Sequence, residues 1–172
     1  MARGALTKRA KRMIKIHEHL IEVTSPSDVF HSVLTVQKLW EHLLHYAEHP
    51  HEYFEPLQSC KIQSREENGL RVLDRLLDFG SIQVRDTVHF EKEKSVCIDV
   101  MATDSYKASR LTIQIECPQA DSIFLRFTYE EDLLQAPQDD IFLKLRKKAY
   151  EQKDMEMVQT IRARFESPTN LN

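Results

Sequence analysis

The chain has 172 residues with 24 Lys and Arg against 27 Asp and Glu, and 41% of its residues are hydrophobic, which predicts one domain with one core. No apolar run approaches the roughly 20 residues of a membrane-spanning helix, so we expect no membrane insertion. The 3 glycines form neither G-x-G-x-x-G nor G-x-x-x-x-G-K-S/T, which excludes the usual phosphate-binding loops and disfavours nucleotide-dependent chemistry.

The first twelve residues are basic and contain no acid. No apolar stretch or cleavage site follows them, so they are not a secretory signal. We interpret residues 1–12 as a disordered extension, with a contact to nucleic acid or anionic lipid as the alternative. Without their five positive charges the net charge of −3 becomes about −8, which disfavours a nucleic-acid partner. The basic residues are Arg3, Lys8, Arg9, Lys11 and Arg12.

One strand and two short helices are predicted next. Residues 13–23 mix apolar and polar side chains near period two, which predicts a strand followed by a loop of turn formers. Thr35 is a candidate N-cap, and apolar residues at helical spacing from Val36 to Ala47 predict an amphipathic helix that Pro50 ends. A second short helix is predicted over 51–57.

From residue 59 to residue 130 the period becomes two, and short polar turns separate six segments, which predicts an antiparallel meander. Alternate residues then form one apolar face and one polar face. Asp86 is the exception, because its parity places a carboxylate among apolar side chains. The predicted strands are Cys60 to Arg65, Leu70 to Phe79, Ile82 to Phe90, Val96 to Ala102, Arg110 to Cys117 and Ile123 to Glu130.

Residues 141–165 contain no Gly or Pro and predict a long C-terminal helix. Its apolar stripe drifts, which indicates either a kink near residues 152–154 or contacts on two sides of the helix. The element order predicts an α+β fold, with a single domain over 13–166 and a flexible tail over 167–172. A sheet that does not fully meet the helix leaves a cavity between them.

The cysteines indicate the compartment. Cys60, Cys97 and Cys117 are odd in number and include no C-x-x-C pair. This usage predicts neither a disulfide framework nor a cysteine zinc site, and a reducing cytoplasm fits it best.

Several stretches are similar to those of a known superfamily: His17 to Val23, Leu39 with Trp40, Val84 to Val88, Leu125 to Glu130, and Ala149 with Tyr150 followed by Ile161 with Arg162. From about Ile14 to Phe165 the chain resembles the AtaL-like branch of the SRPBCC superfamily of START domains and birch-pollen allergens. The resemblance implies a helix-grip fold, in which a curved seven-stranded antiparallel sheet wraps a long C-terminal helix around a hydrophobic pocket. Unlike the plant allergens, the chain lacks a glycine-rich loop, since Gly69 stands alone.

Two groups of histidines are candidate sites. His42, His45, His49 and His51 cluster on the first helix and its exit, where His45 and His49 could share a metal ion at i, i+4. Without H-E-x-x-H or a placed third ligand, we interpret them as a polar helix surface and expect no metal. The second group lies in the first strand and consists of His17, Glu18 and His19. Neighbouring residues of a strand point to opposite faces and cannot act together directly, so we interpret this group as rim or surface residues.

Asp86 requires a partner or a role, because an unpaired carboxylate on an apolar face is costly. We favour a satisfied carboxylate near the middle of the strand, in an ion pair with a residue such as Arg71 or Arg75 or in a backbone hydrogen bond. The alternative is that Asp86 serves inside an apolar pocket, either as a polar anchor for a ligand or as a general acid or base.

The sequence and the resemblance together predict a binding module without a cofactor, which holds a small hydrophobic molecule, lipid-like or aromatic, between the sheet and the C-terminal helix. One alternative is an enzyme resembling polyketide cyclases and aromatases, in which Asp86 and a tyrosine steer proton transfers. Another is an interaction protein whose pocket is filled by its own side chains. The predicted ligand-binding residues are Trp40, Phe54, Val84, Asp86, Ile113, Phe127, Tyr129 and Tyr150.

Overall fold

A computed structural model describes residues 12–25, 27, 34–132 and 140–166. The predicted N-terminal extension, apart from Arg12, and the predicted tail lie outside these ranges. In chain order the elements are β1 (Met13–Thr24), α1 (Val36–Glu48), a 3₁₀ turn (Pro50–Glu52), β2 (Ser59–Glu67), β3 (Leu70–Asp78), β4 (Gln83–Glu91), β5 (Ser95–Val100), β6 (Ser109–Gln119), β7 (Ser122–Asp132) and α2 (Asp140–Glu166).

The seven strands form one antiparallel sheet in the order β1-β7-β6-β5-β4-β3-β2. Strands β2 to β7 follow one another as a meander, and β1 returns to pair with β7. The predicted α+β fold, a seven-stranded antiparallel sheet with a long C-terminal helix, is therefore confirmed. Its two edges are β1 and β2.

The core lies on one face of the sheet, where alternate side chains of the strands other than β2 pack with α1 and α2. This is the face that the parity of the apolar residues predicts. Asp86 lies on it, opposite Arg75 of β3. Core side chains with no exposed surface are Leu39, Leu43, Leu73, Val88, Val96, Ile113, Leu125, Phe127 and Ile161.

A β-bulge at Ile16 changes the path of β1. Lys15 pairs with Glu130 and His17 pairs with Tyr129, so Ile16 has no partner residue. After the bulge, His17 and His19 point to the core side, where α2 packs on β1. His17 and His19 share one face of the strand and are half-buried, so their interpretation as surface groups is wrong, whereas a position at the rim of the covered face agrees with the structure.

Helix α1 begins as predicted, with the Thr35 hydroxyl accepting a hydrogen bond from the Lys38 amide at 3.2 Å. The second helix differs from its prediction. It is a single 3₁₀ turn that begins at Pro50 and ends at Glu52, since proline fits the first position of a helical turn, where its missing N–H costs nothing. Residues 53–57 continue as turns and loop.

Helix α2 is one continuous helix through residues 152–154, so the alternative of two helical pieces separated there is wrong. Its apolar stripe drifts because burial changes along the helix: Met157, Val158 and Ile161 are buried, whereas Ile141 and Phe142 are exposed. Within the described ranges, no helix combines the length and apolar character needed to cross a membrane.

The two faces of β7 offer a matched test of the core. Phe127 has no exposed surface, whereas Phe124 lies half-buried on the opposite face. We expect Phe127→Ala to lower the free energy of unfolding by about 3–5 kcal/mol, because the cavity it leaves cannot collapse fully. Phe124→Ala should cost less than half of that. Equal losses in urea unfolding would contradict the assignment of the core face.

Candidate functional site

A cavity of about 240 Å³ lies between the sheet and α2. Drug-sized ligands occupy about 300–1,000 Å³, and a 150 Å³ apolar cavity already accepts benzene. The space therefore suits a molecule of one or two rings. Apolar side chains that line it are Ile16, Phe54, Leu77, Phe79, Val84, Ile98, Val100 and Leu111. The polar ones are Tyr46, Arg75, Asp86, Ser109, Arg110, Tyr129, Glu130, Glu131, Tyr150 and Lys153.

The predicted ligand-binding residues divide into two groups. Those that line the cavity are Phe54, Val84, Asp86, Tyr129 and Tyr150, and their role toward a ligand stays a prediction. Trp40, Ile113 and Phe127 instead pack in the core away from it, with Trp40 meeting Phe90 edge-on at 6.3 Å between ring centroids. Parity identifies the face of a strand, but it does not tell at which point along the strand the helices close over it.

Asp86 forms a buried ion pair with Arg75, and each side chain is only 3% exposed. The guanidinium donates from both Nε and one Nη to the two carboxylate oxygens, at 2.7 Å each, and donates its other Nη to the Ala47 carbonyl at 2.9 Å. Burial alone lowers the pKa of Arg75, but the Asp86 carboxylate outweighs it and raises that pKa above its ordinary value. The favoured interpretation of Asp86 is confirmed, with Arg75 as the partner.

A second polar group comes from α2. Asp154 is 1% exposed and accepts a hydrogen bond from the Tyr129 hydroxyl at 2.6 Å. Burial raises the pKa of Asp154 to about 6. Burial and the neighbouring Asp154 carboxylate raise the pKa of Tyr129, so this phenol remains protonated and a donor.

Lys153 brings a cationic group to the cavity wall. Its Nζ lies 3.7 Å from an Asp154 oxygen and over two rings, at 5.5 Å from the Tyr129 centroid and 5.9 Å from that of Phe54. Burial of the ammonium lowers the pKa of Lys153. A lowered pKa increases the fraction of the amine that is unprotonated at a given pH, and the unprotonated amine is the form that can accept a proton.

Sequence reasoning missed both Lys153 and Asp154. A usable signal was present, because Asp154 precedes Met157, Val158 and Ile161 by 3, 4 and 7 positions. This spacing places the carboxylate on the buried stripe of α2. A single acid in a helix rich in charged residues gave no other indication of its burial.

The two histidine groups have different surroundings. His17 and His19 are 12% and 13% exposed, and burial lowers the pKa of His19. In the other group, His45 and His49 stack at 4.1 Å between ring centroids, and His45 Nε2 lies 2.7 Å from a Glu52 oxygen near the protein surface. His42 packs edge-on against Phe165 at 4.8 Å.

The family follows from a comparison with family models. Residues 21–167 match the family AtaL, described as acetylaranotin biosynthesis cluster protein L. The chain belongs to the AtaL family. No curated protein matches its sequence.

Solved structures of SRPBCC, START and related proteins share the fold of this AtaL-family chain. An aromatase/cyclase, ZhuI, from a Streptomyces species has a TM-score of 0.57 at 15% identity, over 90% of this chain and 94% of that one. Ara h 8.0201 has a TM-score of 0.57 at 13% identity, over 84% and 97%. A START superfamily protein from Mycobacterium smegmatis has a TM-score of 0.50 at 15% identity, over 90% and 97%. These likenesses establish a helix-grip fold.

The ion pair beside the cavity gives a stability prediction. We expect Asp86→Ala to lower the free energy of unfolding by about 3–5 kcal/mol, because it leaves the Arg75 charge buried and unpaired. The double variant Arg75→Met with Asp86→Leu should lose much less, since no charge is then left without a partner. Chemical denaturation measures both.

Asp74→Ala is the matched control for Asp86→Ala. Asp74 of β3 pairs with Arg65 of the neighbouring strand β2, but both of these charged side chains face solvent, and exposed pairs contribute little. A loss for Asp74→Ala as large as that for Asp86→Ala would contradict a special role for the buried pair.

Proposed function

We propose that this AtaL-family protein binds a small hydrophobic molecule, aromatic or lipid-like, in the cavity between the sheet and α2. The observation that carries the proposal is the cavity itself. Eight apolar side chains and the rings of three tyrosines line it, and several of its polar groups, among them Asp86 and the Tyr129 hydroxyl, are held by partners within the protein. Apolar surface with placed polar groups is the usual composition of a small-molecule site.

The polar groups of the wall indicate the chemistry of the ligand. Asp86 and Arg75 satisfy each other, and the Tyr129 hydroxyl is engaged by Asp154. Lys153 adds an ammonium group to the same wall, where a ligand oxygen can meet it, and it lies beside the ring of Phe54. A ring system that carries a carbonyl, phenol or carboxylate oxygen matches this arrangement.

The relatives support a small organic ligand. The family description refers to a biosynthesis cluster, and one protein of the same fold is described as an aromatase/cyclase. Both concern the making of small molecules. The filled-pocket alternative is less well supported, because the cavity is open to a ring-sized guest.

Naphthol is a suitable probe, since it has two fused rings and one hydroxyl. We expect one naphthol per chain in a fluorescence or calorimetric titration. Val84→Trp should weaken binding at least about tenfold, because the larger ring occupies the cavity that Val84 lines. Native mass spectrometry of the untreated protein would show in addition whether a natural ligand is retained.

Leu76→Trp is the control, because Leu76 lies on the opposite face of the neighbouring strand. It should leave naphthol affinity unchanged. Thermal melts confirm that both variants fold. Absence of binding to the wild type, or equal binding by the two variants, would contradict the proposed cavity function.

An enzyme of the cyclase type is the second candidate, and Lys153 is the observation that favours it. The amine lines the cavity and burial lowers its pKa. It is placed to remove a proton from a carbon between two carbonyls. The enolate then adds to a second carbonyl of the same molecule, and the proton returns to the new alkoxide oxygen. Asp86 suits this role less well, because Arg75 holds both its oxygens.

Lys153→Met separates the two candidate functions. If the protein is a cyclase, this variant should slow cyclisation of a linear poly-β-ketone thioester at least about a hundredfold, whereas the loss of one hydrogen bond to the ligand should weaken naphthol binding by about tenfold or less. Lys148→Met, at an exposed position of the same helix, should retain full activity. Chromatography of the products measures both. Naphthol binding without any wild-type cyclisation would leave the binding function alone.

A further inference from the structure

We propose that His17, His19 and Glu151 form a binding site for a divalent transition metal ion such as Zn²⁺. The site joins β1 to the middle of α2, and its three side chains do not line the cavity described above. In the described part of the chain, it is the one group of three or more His, Cys, Asp and Glu side chains whose ligand atoms all lie within 4.8 Å of one another. The proposal does not depend on the ligand of the cavity.

The spacing of the donor atoms fits a metal ion. His17 Nε2 lies 3.0 Å from His19 Nδ1 and 3.1 Å from a Glu151 oxygen. Metal bonds of about 2.0–2.2 Å in tetrahedral geometry place donor atoms about 3.4 Å apart. The remaining pair, His19 and Glu151, lies within 4.8 Å, and a rotamer change of the exposed Glu151 side chain closes that distance.

Proton counting shows that the two contacts of His17 Nε2 cannot both be full hydrogen bonds, because this nitrogen has at most one proton to share between them. His17 Nε2 carries either one proton or one lone pair. If it donates to Glu151, it cannot accept a proton from His19. If it accepts from His19, its lone pair faces the Glu151 carboxylate. One cation among the three donor atoms resolves both contacts, because each donor then directs a lone pair at it.

Asp154 lies beside the second ring nitrogen of His19. This Nε2 is 3.0 Å from an Asp154 oxygen, on the side of the ring away from the proposed metal, but the contact does not have hydrogen-bond geometry. Asp154 therefore contributes a negative charge next to a metal-binding ring, at the position where a metal-bound histidine commonly has a carboxylate. Asp154 is in turn held by the Tyr129 hydroxyl at 2.6 Å, so the site is connected to the cavity wall through one carboxylate.

Access and charge also favour a cation. The Glu151 side chain is 53% exposed, so an ion can enter from solvent and retain water at a fourth position. The carboxylates of Glu151 and Asp154 contribute two negative charges against the single positive charge of Lys153 next to them. Two imidazoles and a carboxylate with an open fourth position suit Zn²⁺.

The other histidine group provides a built-in control. His45, His49 and Glu52 also comprise two imidazoles and one carboxylate, but the rings stack face to face rather than directing nitrogens at a shared point. Glu52 is already engaged by His45 and by Arg164, at 2.7 Å and 3.0 Å. The same residue types in this arrangement do not form a site.

The experiment is a Zn²⁺ titration by calorimetry, with Co²⁺ absorption to report on coordination, using the full chain without a histidine tag. We expect one ion per chain and the visible bands of tetrahedral Co²⁺. His17→Gln, His19→Gln and Glu151→Gln should each weaken Zn²⁺ binding at least about tenfold. His45→Gln should leave the affinity unchanged.

Thermal melts check that the variants fold. The Glu151→Gln variant is the most informative, because substitution of an exposed residue should not prevent folding, and a loss of Zn²⁺ binding in it can then be assigned to the missing ligand. Zn²⁺ should also raise the melting temperature of the wild type but not that of Glu151→Gln. The proposal is overturned if the wild type binds no stoichiometric Zn²⁺, if His45→Gln removes the binding, or if the folded Glu151→Gln variant retains full affinity.

Discussion

The buried pair of Arg75 and Asp86 is the constraint on which the rest of the structure depends. Its three hydrogen bonds connect β3, β4 and the last turn of α1, where carbonyl groups lack partners within the helix. A charge in this position cannot move away from its partner without a large penalty. The pair therefore sets where α1 meets the sheet, and it provides a polar surface on one side of the cavity.

The opposite side of the cavity follows the same rule with different groups. There Asp154 of α2 accepts a hydrogen bond from the hydroxyl of Tyr129, which lies in the sheet. Eight apolar side chains line the cavity together with these two polar groups. Because both groups have hydrogen-bond partners within the protein, an apolar ligand can enter the cavity without leaving either of them unpaired.

The fold was predictable because its signals are local and repeated. Period-two alternation identified the strands, and parity placed Asp86 on the core face, where its guanidinium partner was also expected. The site was less predictable. Whether Trp40 or Phe54 lines a cavity depends on where the helices cross the sheet. No local sequence pattern indicates that position. His17 and His19 illustrate the same difficulty, since their side chains depend on a bulge in β1 and on a helix more than 130 residues away in the chain.

The pairing of β1 with β7 also has a consequence for folding. Each strand of the meander meets its neighbour through a short turn, but β1 must find the last strand across more than 100 residues of chain. Contacts of such long sequence separation are entropically expensive to close and form slowly. The donor atoms of His17, His19, Glu151 and Asp154 therefore come together only once this last edge of the sheet is in place. A metal ion bound to these donor atoms would therefore indicate that the chain has folded completely, and not only that it has collapsed.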